Sequence, residues 1–165
     1  MGIPIFNSDS IAKTLMEQNP ELRQALTNRL GDGLYTHNQL NREWLANILF
    51  SDEESRKFVE SIVHRAVHRA FQEWKSQQSS EIIIRESAPL VSIDLTKQAD
   101  TIVLVACRHE LRLKRVLQRA GMNPEKFEER SRLQHAEETI RPHAHYEIIN
   151  DGRAIIPQVM ALLGE

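Results

Sequence analysis

The stretch Thr101-Ile102-Val103-Leu104-Val105-Ala106-Cys107 decides the fold. It is an apolar run rich in β-branched residues and without polar alternation. Such a run predicts a strand buried on both faces, as strands of parallel sheets are. Downstream the periodicity becomes helical. Residues 109 to about 120 carry Leu113, Val116 and Leu117 on one face, and Asn123-Pro124 opens another helix with proline at its first position. Residues 146–150 form the last strand, which Asp151-Gly152 turns into a helix bearing Ile155, Ile156, Val159, Leu162 and Leu163. Upstream, residues 3–6 and 81–85 read as two further strands. Strand and helix alternate, which predicts an α/β domain with a parallel sheet.

One long interruption, residues 10–77, reads as helical with no strand. A helix from about Ser10 shows Ile11, Leu15 and Met16 on one face. Asn19-Pro20 restarts it as cap and first residue, Leu22, Ala25, Leu26 and Leu30 form the next stripe, and Gly31 ends it. After a turn-rich link at 31–37, residues 40–50 are helical. Ser51-Asp52-Glu53-Glu54 reads as a capping box with Ser51 as the cap. It opens a long helix whose Val59, Ile62, Val63, Ala66, Val67, Ala70, Phe71 and Trp74 recur at helical spacing. The expected organisation is one domain, 1–165, with residues 10–77 as an inserted substrate-binding subdomain.

Composition removes several function classes. The net charge of -2 over 165 residues supplies no field for nucleic acid or an anionic membrane. No apolar run reaches membrane-spanning length and no secretory signal is visible, so a cytoplasmic protein is expected. The lone cysteine, Cys107, excludes an internal disulfide and reads as a small buried hydrophobe. His64 and His68 lie one helical turn apart but lack a third ligand nearby, and His143 with His145 is no better placed, so no metal site is expected.

The residues with chemical promise sit at strand and helix ends. Asp9 follows the strand at 3–6, where open α/β sheets bind ligands and a carboxylate can orient a hydroxyl and take its proton. Its plainer role is to cap the helix starting at Ser10. Arg108, Arg112, Arg115 and Arg119 fall at i, i+4, i+7 and i+11, a cationic stripe fit for the rim of a polyphosphate groove or for plain solvation. Arg130 and Gln134 share a helix face. No GxxxxGK[ST] run, the loop whose amides cradle a triphosphate, occurs in the 165 residues.

The order and spacing of these segments, across residues 2–164, resemble dephospho-coenzyme A kinase. Ile5-Phe6-Asn7-Ser8-Asp9-Ser10-Ile11-Ala12 is similar to the family's V-I-D-A-D-x-x-A turn, and Leu40-Asn41-Arg42 to its L-N-R helix. Ser61-Ile62-Val63-His64 is similar to its I-V-H-P, Arg130–Gln134 to its lid R-x-x-x-Q, and residues 146–152 to its V-I-x-N-x-G. The resemblance implies a three-layer P-loop kinase-like sheet with a helical lid at 121–142. It also implies ATP- and magnesium-dependent phosphorylation of the ribose 3′-hydroxyl of dephospho-coenzyme A. Asp9 would be the base, Arg115 and Arg130 the charge stabilisers, and Arg42 and His64 the acceptor contacts. Arg119, Asn150 and Gly152 would meet the nucleotide.

The departures are Asn7 for an aspartate, Arg65 for a proline, Ser92 for a glutamate, Ala120 for an aspartate and Ile140 for a lysine. The chain is expected to start just after the family's P-loop and first helix, through a misassigned start at Met1 or a truncation, and to be inert by itself, with neither ATP nor magnesium tightly bound. The alternatives are a non-catalytic relative binding coenzyme A-like nucleotides or a protein partner, and a helical interaction module built on residues 10–77. The implied strand order, 2-3-1-4-5, lacks its central strand. The edges of 81–85 and 101–105 are therefore expected to close on each other, take a foreign strand, or stay split. Unpaired edges also leave a route to oligomers.

Overall fold

The computed structural model describes residues 2–87, 99–119, 121–133 and 140–164, with the side chains of 126, 129, 130, 132 and 133 excepted. It divides into two compact units, Met1–Ala88 and Pro89–Glu165.

The first unit begins with β1 (Ile5–Asn7), which runs directly into α1 (Ser8–Gln18). α2 (Pro20–Leu30) follows with the expected start and stop: the Asn19 side chain accepts from the Leu22 amide at 2.9 Å, and Gly31 takes φ of 94°. The segment read as containing no strand holds a small antiparallel hairpin, β2 (Tyr35–Thr36) with β3 (Gln39–Leu40), which corrects that reading. Its turn places His37 and Asn38 at positive φ, a conformation that primed hairpin turns require and that an His-Asn pair signals only weakly.

α3 (Arg42–Ser51) and α4 (Glu53–Ser76) come next. The α4 cap is Asp52, not Ser51. Asp52 Oδ1 accepts from the Glu54 and Ser55 amides at 2.9 and 3.2 Å. Ser51 still belongs to α3, and its hydroxyl donates to the Asn47 carbonyl at 2.8 Å. An aspartate two residues before the Glu54 amide reaches it more directly than a serine three residues before it.

The stripe read along α4 forms the core. Val59, Val63, Val67 and Phe71 are buried with Phe6, Leu22, Leu26, Leu30, Leu34 and Leu45. β4 (Ile84–Glu86) then pairs parallel with β1, Ile5 opposite Ile84, Phe6 opposite Arg85 and Asn7 opposite Glu86.

The second unit holds β5 (Val103–Ala106), α5 (His109–Leu117), α6 (Pro124–Leu133), β6 (Tyr146–Ile149) and α7 (Ile155–Leu163). β5 and β6 pair parallel, Val103 opposite Tyr146 through Ala106 opposite Ile149. The reading of 101–107 as buried on both faces fails. Ile102 and Ala106 are buried, whereas Val103 and Val105, on the opposite face, are 37% and 57% exposed. Cys107 is half-buried rather than buried.

The architecture is α/β with parallel sheets. β1 pairs with β4 and β5 with β6, as the outer pairs of the implied strand order require, and no ladder joins β4 to β5 among the described residues.

Candidate functional site

Within the first unit the site grows from the C-terminal end of the β1–β4 pair, where both strands hand the chain to a helix or loop. α1 starts at Ser8, and its cap is Asn7, whose Oδ1 accepts from the Ser10 amide at 2.8 Å. That leaves Asp9 free of the capping role. It is exposed in the first turn of α1, with no hydrogen-bond or ion-pair partner among the described residues. The helix N-terminus favours negative charge at this point.

The other face of the Asn7 amide is also engaged, Nδ2 donating to Glu86 Oε2 at 2.7 Å. An aspartate at position 7 could not donate that bond. The family departure at Asn7 thus has a local cause: the neighbouring strand supplies the carboxylate. Beside it, Arg85 donates from Nε to the Ser8 hydroxyl at 3.3 Å and lies over the Phe71 ring at 4.7 Å. Burial lowers the pKa of its guanidinium below the usual value.

His64 projects from α4 into the same electrostatic neighbourhood. The protein around its ring lowers its pKa below the ordinary value, nearby Glu60 opposes the shift, and Arg85 adds to it. A neutral imidazole is favoured. Arg42 lies elsewhere on the unit, 3.2 Å from Glu17. Glu17 belongs to a cage in which Arg23 donates to the Glu17 carbonyl and covers the Tyr35 ring at 4.1 Å. Among the described residues, no hydrogen bond or ion pair joins Arg42 to His64 or Asp9. Sequence reasoning missed Arg85 and Glu86. A signal existed, two adjacent charges closing the apolar run Ile82-Ile83-Ile84 at the strand end where α/β sheets bind ligands.

The second unit unites two of the expected residues. Arg115 donates from Nη1 to the Asn150 carbonyl at 2.8 Å and to its Oδ1 at 3.1 Å, with Cys107 Sγ at 3.6 Å. Arg115 is thereby fixed at the C-terminal end of β6, where Gly152 takes φ of 107°. The four-arginine stripe does not hold together. Arg108 precedes α5, and the helix ends at Leu117, so Arg119 lies beyond it and is exposed.

Arg112 lies over Phe127 of α6, 5.7 Å from the ring, and His109 stands 3.2 Å from Glu128. These contacts tie α5 to α6, the element that carries Arg130. The Arg130 side chain, Gln134, Ala120 and Ser92 lie outside the described residues. So does the greater part of the expected lid beyond α6.

Among the described residues, no group of three or more His, Cys, Asp or Glu side chains is placed to hold a metal ion. No described helix is long and apolar enough to cross a membrane.

Comparison with known proteins agrees with the α/β fold and shows the family. The family model for dephospho-CoA kinase matches residues 1–155. The dephospho-CoA kinase of Porphyromonas gingivalis is 32% identical over 165 residues, which cover 99% of this chain and 82% of that one. The dephospho-CoA kinase of Bacteroides fragilis strain YCH46 is also 32% identical, with 99% and 80% covered. Among solved structures, TT1252 from Thermus thermophilus superposes with a TM-score of 0.84 at 28% identity, covering 99% of this chain and 84% of that one. Dephospho-CoA kinase from Campylobacter jejuni shares the fold, with a TM-score of 0.67 at 20% identity and 99% and 85% covered.

Proposed function

The chain belongs to the dephospho-CoA kinase family, and from that premise we propose that it holds dephospho-coenzyme A for phosphorylation at the ribose 3′-hydroxyl. The observation that carries this reading is Asp9: exposed at a strand end, relieved of capping by Asn7, and without a partner among the described residues. In the proposed step the 3′-oxygen attacks the γ-phosphorus of ATP, its proton passes to Asp9, the bond from γ-phosphorus to the bridging oxygen breaks, and ADP leaves. Arg115 and Arg130 would balance the charge on the transferred group, since phosphoryl transfer is catalysed mainly by positioning and electrostatics. Arg42 and His64 would meet the acceptor, and Arg119, Asn150 and Gly152 the nucleotide.

The 165 residues contain no GxxxxGK[ST] loop. We therefore propose that this stretch by itself binds the acceptor, holds ATP weakly and does not turn over. The test joins it to a strand–GxxxxGKS–helix segment taken from a relative. Turnover should appear, and Asp9→Asn should remove most of kcat while acceptor affinity stays nearly unchanged, because a proton-accepting group acts mainly in the transition state. A variant that keeps its kcat would leave Asp9 without a catalytic role. No turnover with the loop in place would favour a non-catalytic relative.

A further inference from the structure

We propose that Arg85 is a phosphate-binding residue of the acceptor site, its guanidinium fork taking the diphosphate of the nucleotide whose hydroxyl meets Asp9. The inference rests on the acceptor reading above and goes beyond it in assigning the anion contact. Arg85 is anchored in two ways. Nε donates to the buried Ser8 hydroxyl at 3.3 Å, and the plane rests over the buried Phe71 ring at 4.7 Å. Both hold the guanidinium without using its two terminal nitrogens, which have no acceptor among the described residues and are not sealed from solvent.

Among the described residues, no carboxylate pairs with Arg85. The adjacent Glu86 is held by the Asn7 amide instead. A half-buried guanidinium without an anion is an unbalanced charge, and burial disfavours it. A planar fork with four free N–H groups matches two phosphate oxygens, and a preorganised side chain loses little entropy on binding them. The placement suits the acceptor. Ser8 precedes Asp9, so the fork stands one residue from the proposed base, and a nucleotide with its ribose at Asp9 has its diphosphate one sugar ring away. His64, kept neutral in the same neighbourhood, adds no competing positive charge.

The test follows the Arg85 Nε–H resonance of the 15N-labelled chain during titration with pyrophosphate, dephospho-coenzyme A and adenosine, alongside calorimetry. Pyrophosphate and dephospho-coenzyme A should shift the resonance and adenosine should not. Arg85→Gln should weaken dephospho-coenzyme A by about tenfold or more, as losing a charged hydrogen-bond donor does, and Arg85→Lys should restore part of the loss. Circular dichroism verifies that the variants fold. A resonance unmoved by either phosphate compound, or equal affinity in Arg85→Gln, overturns the assignment. Dephospho-coenzyme A that binds without moving Arg85 removes this proposal and leaves the acceptor reading standing. A shift with pyrophosphate alone, without binding of dephospho-coenzyme A, keeps the anion site and overturns the acceptor reading.

Discussion

Asn7 does the work of two groups. Its oxygen holds the start of α1, and its nitrogen holds Glu86 across the parallel ladder at 2.7 Å. Replacing it with aspartate keeps the cap and puts two carboxylates directly opposite each other. Asn7→Asp should therefore destabilise the chain by about 1 kcal/mol, the scale of a like-charge cross-strand pair, and Glu86→Gln should abolish most of that penalty. Urea unfolding of the two single variants and the double variant measures the coupling. Additive effects would show that the Asn7–Glu86 contact carries no energy. The same pair explains why the aspartate pattern of the family turn is altered here with the strand-end geometry intact.

At the scale of the element, helix existence was legible and helix ends were less so. α2 and α6 begin where Asn-Pro dipeptides say they should, because proline and an Asn cap act through purely local chemistry. α4 begins one residue from its expected cap because Ser51 and Asp52 compete, and only Asp52 has an oxygen free once α3 has claimed Ser51. Asp52→Ala should lower the urea midpoint, and Ser51→Ala should leave it nearly unchanged.

The Asp52 effect carries a pH signature. The Ser55 hydroxyl first, then the Ser55 amide, hold the Asp52 carboxyl below its ordinary 3.8, with the Glu54 amide and Arg29 adding to the shift. Its contribution is present above 3.8 and is lost as the pH falls through the depressed folded value, so the difference between wild type and Asp52→Ala should vanish under strong acid. An equal difference at all pH values would contradict the cap.

The hairpin at residues 35–40 and the one-sided burial of β5 were not legible. The first depends on two non-glycine residues at positive φ, the second on what covers a sheet face, and neither is local information. Of the site, Asp9 was readable from its place after a strand. Arg85 carried a similar signal of position, charge closing the apolar run at 82–84, but its anchors, Ser8 and Phe71, are distant in sequence and were not legible.

Across the whole molecule, burial is uneven. The first unit has a continuous core with Leu26 and Leu34 fully buried, whereas among the described residues of the second only Ile102, Ala106, Phe127 and Ile148 are buried hydrophobics. α7 has none. Amide exchange should accordingly be slowest along the buried side of α4 and faster by about a hundredfold or more in α7, since local opening follows the apolar contacts that resist it. Equal protection in the two units would contradict that distribution. Ile5, Ile84, Val103, Val105 and Tyr146 leave sheet surface exposed, and the edges of β4 and β5 lack a second partner among the described residues. Such surfaces are where another strand or another copy of the chain can add.

On the proposed function, these residues form the acceptor half of a dephospho-CoA kinase site without the loop that grips ATP. Calorimetric titration of the 165-residue chain with dephospho-coenzyme A, and separately with ATP and magnesium, tests it most directly. Measurable binding of dephospho-coenzyme A and no micromolar affinity for ATP are expected, because isolated arginines cannot replace a preorganised ring of amide donors. Micromolar ATP binding, or no binding of dephospho-coenzyme A, would contradict it.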